Sequence, residues 1–593
     1  MGREHQFINP YNFIPLGEHC IRENSKDEKT YTGYIDCELT TKTPIIINDT
    51  NIVLPDSEVK DHKVYPETIK IEGVPIIPGS ELRGMIRSKF EALTNSCMSS
   101  VQENLSFYGR YNGNMRNPGI LDFTDKKNVK LYSCKKIEIG SFDIQRFNRY
   151  NTGQFMTFDS KIIYVKGRKK EIFSKFNNQG KYKGYFKKGE VFGKRGSAMH
   201  IFVIEEELTG LVNQNDFKDM YEELIETFKE DNGRHHASYS SVNYKPVWYE
   251  IVDNYVYFSL GQNGQTKFRN RLKDVINKEY LPCKDIDHLC EACDVFGTVQ
   301  KDIASSSKVR VEDAYMVNPN QNYYAVSKPI TLSELSSPKY ANAPFYLIQY
   351  DEDGWGKTST QKVWNVDFES VFNMKKNQTF YFEPGDIGIR GRKEYWHFRP
   401  NLNMEVEKTK RNVSVKPIKE NVKYSFKIYF DGITEKQLEH LNMAISLGNN
   451  SDFSHKVGLG KPLGFGSVKI QTKEIICKDI TYQDGKVQYT LKPYITKSKT
   501  ILDAFSELKK DPYQYAAIKA LYSFSYIDSN DLVDYPRNYP NGKIFEWFEA
   551  NKKRKGKEGK QTLPFAEDDY DSLIQVGFDN RNNNRNNYKK NRR

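Results

Sequence analysis

The chain lacks the features that mark several large classes of protein. Nowhere in its 593 residues is there a run approaching the roughly 18 apolar residues that a membrane helix needs. Its first residues, MGREHQFINPYNF, hold no apolar stretch of the kind a signal peptide carries, and Gln6 stands where a myristoylation signal needs Ser or Thr. A cytoplasmic protein with no membrane partner is therefore expected. Eight cysteines are too few to staple a chain this long, which excludes a disulfide scaffold. Acidic residues are in deficit, 77 Asp and Glu against 89 Lys and Arg, for a net charge of +12. A basic excess favours a polyanionic partner, with nucleic acid the first candidate. Apolar residues make up only 38% of the chain while aromatics reach 13%, a balance that suits planar side chains held near a polar ligand.

What is present is organised around GLGKPLGFGSVKI, from Gly458 to Ile470. Gly458, Gly460, Gly464 and Gly466 strip side chains from the backbone, and Lys461 adds a positive charge, so phosphates could approach bare amides. A mononucleotide P-loop runs strand, loop, helix and follows its Gly-Lys with Ser or Thr. Here an apolar-periodic stretch, Glu435 to Leu447, precedes the loop, a strand-like SVKI follows it, and Pro462 comes after Lys461. The pattern fits nucleotide hydrolysis poorly, which leaves an anion cradle or a plain glycine-rich turn.

At this length more than one ordinary core is expected, or one core with large insertions. Composition divides the chain into an arm (1–30), the first part of a core (31–100), a basic, aromatic insertion (101–244), a return to the core with a cysteine group (245–318), a loop-rich insertion (319–421), the second part of the core (422–480), a partly helical extension (481–565) and a disordered basic tail (566–593). In the first strand Ile35, Cys37, Leu39 and Thr41 alternate with polar residues. After Pro78-Gly79, Ser80 takes the N-cap position of a helix whose apolar face is Leu82, Ile86, Phe90 and Leu93, with Arg83 and Arg87 on its exposed side. A helix N-terminus bearing arginines suits phosphate. Strand, helix, glycine loop and strand near the end of the core read as half of a split ferredoxin-like unit, which the strand and helix at 31–93 open.

Lysines and aromatics interleave in the insertion, most densely at Lys166 to Gly196, which fits backbone neutralisation with base stacking and equally a merely soluble insertion. A second such cluster, IGIRGRKEYWHFRP, places Arg390 and Arg392 beside Tyr395, Trp396 and Phe398, with His397 as either a stacking or packing residue or a proton carrier. His235 and His236 adjoin in a polar loop, so their side chains diverge. The group LPCKDIDHLCEAC offers Cys283, His288, Cys290 and Cys293, four ligands for one tetrahedral ion. Structural zinc is expected there; free thiols, or redox use of Cys290 and Cys293, are the alternatives.

Taken together, PIIPGSELRGMIRSKFEAL, CEACDVFGT followed by KVRVEDA, and GLGKPLGFGSVKI, in that order, make the chain resemble the RAMP superfamily of CRISPR-associated proteins, specifically the backbone subunits of type III effector complexes. The resemblance implies an α+β fold with a modified ferredoxin-like, RNA-recognition-motif-like core carrying large insertions, a zinc-binding insertion and a helical C-terminal extension. It implies that Ser80, Arg83 and Arg87 contact guide RNA phosphates and that Gly458, Gly460, Lys461, Gly464 and Gly466 form the cradle. The implied partners are guide RNA, target RNA and other effector subunits. In cutting members an aspartate before the first helix cleaves target RNA with a divalent ion, here Mg2+. This chain departs from the pattern: its loop is long and offers Asp49, Asp56 and Asp61, of which Asp61 fits best by spacing and Asp49 by its place at the end of the first strand. Two other functions remain open: an endoribonuclease maturing the guide precursor, with His440 or His455 as general base, and a non-catalytic RNA-binding module.

Overall fold

The computed structural model describes residues 6–17, 19–22, 29–110, 115–140, 143–147, 149–165, 167–188, 199–232, 242–252, 254–262, 264–335, 343–349, 387–497, 512–537, 544–553 and 561–577. His235 and His236 lie outside them. In chain order the central unit comprises β1 (Thr30–Thr41), β2 (Val74–Ile77), α1 (Gly79–Leu93), α2 (Glu291–Phe296), β3 (Val309–Val311), β4 (Ala314–Met316), β5 (Lys423–Thr434), α3 (Glu435–Ser446), β6 (His455–Lys456), β7 (Ser467–Gln483) and β8 (Lys486–Pro493). Its sheet runs β6, β7, β1, β5, β4, β2, with β3 also on β5 and β8 on the outer part of β7. β1 is antiparallel to both of its neighbours.

The period-2 pattern of β1 is realised as expected, with residues 33, 35, 37, 39 and 41 all buried. Leu82, Ile86, Phe90 and Leu93 of α1 are buried to 1% exposure or less and join Leu438, Leu441 and Ile445 of α3 in the main core. α3 is started by a capping box: the Thr434 side chain accepts from Gln437 N and Gln437 Oε1 from Thr434 N. It ends at Leu447, in left-handed conformation.

The basic, aromatic stretch is a folded sheet of eight strands between Asn117 and Ser259. The helix Phe217–Asn232 covers one side, packing Phe217, Met220 and Leu224 on Leu121, Leu131 and Val247. Ile120, Phe202 and Trp248 from the same strands join the main core. The expected boundary at 244 falls at the start of a strand, Tyr244–Val252, paired with Asn117–Asp122, so this sheet continues to Ser259.

The N-terminal arm contributes two short strands. Gln6–Ile8 pairs with Ile574–Val576, and Tyr11–Ile14 with Arg392–Tyr395. The strand Ile574–Val576 lies past the expected tail boundary at 566, and Leu573 and Gln575 there are buried. Among the described residues no helix is long and apolar enough to cross a membrane.

Candidate functional site

The first helix and the glycine loop meet directly. β2 runs into Pro78, which caps α1 with extended backbone and no side-chain bond. The Gly79 amide donates instead to Asp313 Oδ1 at 2.7 Å, and a Cβ on Gly79 would lie 2.4 Å from Val311 O, so only glycine lets α1 sit this close to the β3–β4 turn. Ser80 is therefore an exposed first-turn residue and not the N-cap. One residue on, Glu81 Oε1 accepts from Gly458 N at 2.7 Å, joining segments 377 residues apart.

The four loop glycines all have positive φ, from 72° to 92°, which side-chain-bearing residues adopt only with strain. They also admit close backbone contact: a Cβ on Gly466 would fall 2.0 Å from Val457 O and one on Gly458 2.5 Å from Ile46 O. The expectation of bare amides needs correction. Gly458 N is taken by Glu81, Leu459 N by Ile46 O, Leu463 N by Gly460 O, Gly464 N by Lys461 O and Gly466 N by Pro44 O. Gly460, Gly464 and Gly466 are buried while Gly458 and Lys461 are half-buried, so the loop offers a rim with Lys461 on it, not an open nest of N–H groups.

Arg83 and Arg87, both half-buried, flank the Phe296 ring, their guanidinium carbons 5.7 and 5.9 Å from its centroid. Arg83 Nη2 donates to Phe296 O and, at 3.3 Å, to Ser307 Oγ. Arg87 Nε donates to Glu91 Oε1 at 3.0 Å, and its Nη2 lies 3.9 Å from Cys293 Sγ. The two arginines thus stand between α1 and the helix that carries the cysteines.

Four buried cysteines, Cys97, Cys283, Cys290 and Cys293, bring their sulfurs within 4.8 Å of one another. Cys97 Sγ is 3.5 Å from Cys293, 3.5 Å from Cys290 and 3.8 Å from Cys283. A tetrahedral ion with Zn–S bonds of about 2.3 Å separates its sulfurs by about 3.8 Å, whereas a disulfide needs about 2.05 Å. Backbone amides point at two sulfurs, Cys290 N at Cys283 and Cys97 N at Cys290. The residues fit a structural zinc ion, but the set differs from the expected one. His288 is exposed and bonds Asp285 at 2.7 Å; the fourth sulfur comes from Cys97, just past α1. No spacing rule connects Cys97 to a group 186 residues away; only the need of a C-x2-C pair for further thiolates hinted at it.

Asp49 is half-buried, accepts from Asn51 N at 2.9 Å, and follows the Ile46–Ile47 stretch that touches the glycine loop. Asp61 is exposed, with φ of 67°, in the hairpin between Leu54–Pro55 and Lys63–Tyr65. Asp56 is spoken for by Lys408 at 2.8 Å and two backbone amides, which hold its carboxyl down to about 2. Arg390 and Arg392, expected as part of a basic, aromatic cluster for RNA, are both buried. Arg390 lies over Phe565, 4.7 Å from the ring centroid, and Arg392 bonds Glu91 and the Ser96 and Cys97 carbonyls; the pairing of Tyr11–Ile14 along this strand accompanies their burial. His440 pairs with Glu291 at 2.7 Å, His455 Nε2 donates to Ile445 O at 2.9 Å, and both are buried.

The arrangement defines a mixed helix-and-strand protein with a basic helix–loop shelf braced by a four-cysteine centre. Residues 38–237 match the family model described as the RAMP superfamily. No curated protein matches it.

Proposed function

We propose that this chain is a guide-RNA-binding backbone subunit of a type III CRISPR effector complex, holding RNA by its phosphates on the shelf formed by α1 and the glycine loop. The observation that carries the reading is the Glu81–Gly458 bond, which joins the helix bearing Ser80, Arg83 and Arg87 to the loop bearing Lys461. The match to the RAMP superfamily over 38–237 supports a CRISPR-associated, RNA-binding role. The strand order β7, β1, β5, β4 with α1 after β1 and α3 after β5 supports a ferredoxin-like core of the RNA-recognition-motif type. Phosphate contacts fix register without reading sequence, as a guide holder requires. Target RNA and further effector subunits are the remaining partners.

Cleavage of target RNA with Mg2+ belongs to the same reading, and Asp49, beside the loop, is the better-supported acid; Asp61 is the alternative. Maturation of a guide precursor by His440 or His455 is less well supported, since neither ring is exposed to a substrate. The test is the nucleic acid that copurifies. Short RNAs sharing one repeat-derived end support a guide holder, and protein free of RNA when expressed alongside a CRISPR array overturns it.

A further inference from the structure

Lys456, the second residue of β6, is only 5% exposed. Its ammonium donates to the carbonyls of Gly464 at 3.3 Å and Phe465 at 3.0 Å, with the Phe398 ring centroid 5.5 Å away. It therefore lies against the inner side of the glycine loop. Carbonyls and a ring face are weak compensation for a full charge removed from water. Lys89, equally buried, shows the usual arrangement: Glu394 pairs with it at 2.9 Å. Among the described residues no carboxylate pairs with Lys456, and the charges that act on it are those of Lys461 and Lys89, both of its own sign. At the other end of the same loop a carboxylate oxygen already sits on an amide, Glu81 on Gly458, so this loop accepts an oxyanion.

We propose that Lys456 is a positioning residue of a phosphate site on the glycine loop, its buried ammonium acting through the loop backbone on a phosphodiester of bound RNA that Lys461 meets from the rim. The proposal rests on the loop being the RNA grip. A charge held beneath the backbone is shielded from solvent ions, so it acts on a phosphate at the loop more strongly than a surface lysine at equal distance. It also fixes the loop's peptide planes by drawing two carbonyls inward.

Two measurements test it with a short single-stranded RNA. In the first, Lys456→Met and Lys456→Arg are compared with wild type and Lys461→Ala. Loss of a charge-assisted contact makes the Met variant bind roughly tenfold or more weakly, while the Arg variant retains most of the affinity. In the second, wild-type binding is followed by calorimetry at about pH 9 in two buffers of different ionisation enthalpy. Burial, and then the neighbouring Lys461 and Lys89, push the Lys456 pKa well down in the free protein. The groups packed around it are Lys461 of the loop, Lys89 of α1 in its ion pair with Glu394, and His397; the last is neutral at that pH. A phosphate arriving at the loop above Lys456 therefore brings net proton uptake. Wild-type affinity in the Met variant, or equal heats in the two buffers, overturns the proposal while leaving the RNA reading intact. If the Met variant does not fold, the calorimetry decides alone. A wild type that binds no RNA overturns the reading itself, and the proposal with it.

Discussion

Acid should weaken this protein well before its carboxylates protonate. His200, His397 and His455 are each 5% exposed or less. Burial pushes His200 down to about 4 and His455 down to about 3, and it holds His397 well below the ordinary range, with nearby lysines adding to each effect. The unfolded chain binds a proton on each ring near pH 6.5 while the folded chain refuses it, so stability is whole above about 6.5, declines as pH falls, and the loss is complete once pH passes the folded values. At pH 5 a ring with folded pKa below that pH costs about 2 kcal/mol, so His200 and His455 together cost about 4 kcal/mol, a large part of the stability of a typical domain, and His397 adds to the loss in the same direction. The figure does not depend on how far below 5 each value lies. Urea unfolding at the two pH values measures it. His455→Gln, which can keep a donor for Ile445 O, should remove about 2 kcal/mol of the pH-dependent loss. A midpoint that is the same at both pH values, or a variant that loses as much as wild type, refutes the reasoning.

Three other outcomes follow from the sites. Cys97→Ser should cut bound zinc severely and lower the thermal midpoint, while His288→Ala leaves both unchanged; metal analysis of the purified proteins distinguishes this set from one that uses His288. Replacing Arg83 and Lys461 together with Ala should weaken RNA binding and reduce the slope of log affinity against log salt by about 1.4, two single-strand phosphate contacts' worth; an unchanged slope removes both residues from the grip. Any cutting of target RNA should vanish with EDTA and in Asp49→Ala but survive in Asp61→Ala, and the reverse pattern would move the acid to the hairpin.

Local patterns were legible because their causes are local. The alternation in β1, the apolar face of α1 and the helix from Glu435 follow from periods of 2 and 3.6, and the structure reproduces each. Contacts set by distant chain were not. Ser80 looked like a cap, yet Asp313, more than two hundred residues on, holds the Gly79 amide. The glycines marked a tight loop correctly, but their open backbones admit Ile46, Val457 and Pro44 as protein partners as well as any ligand. Arg390 and Arg392 read as part of a basic, aromatic cluster for RNA because nothing nearby in sequence buries them; Tyr11–Ile14, from the other end of the chain, pairs with Arg392–Tyr395. Cys97 was missed for the same reason, and Lys456 because a lysine in a two-residue strand gives no hint that it turns inward.

The central claim is that α1 and the glycine loop act as one surface on an RNA backbone. Ultraviolet crosslinking of the protein to its copurified RNA, followed by mass spectrometry of the crosslinked peptides, tests it directly. Crosslinks should fall on peptides containing residues 79–93 and 458–466 together. Crosslinks confined to other regions, such as the eight-stranded sheet between 117 and 259, would contradict the account.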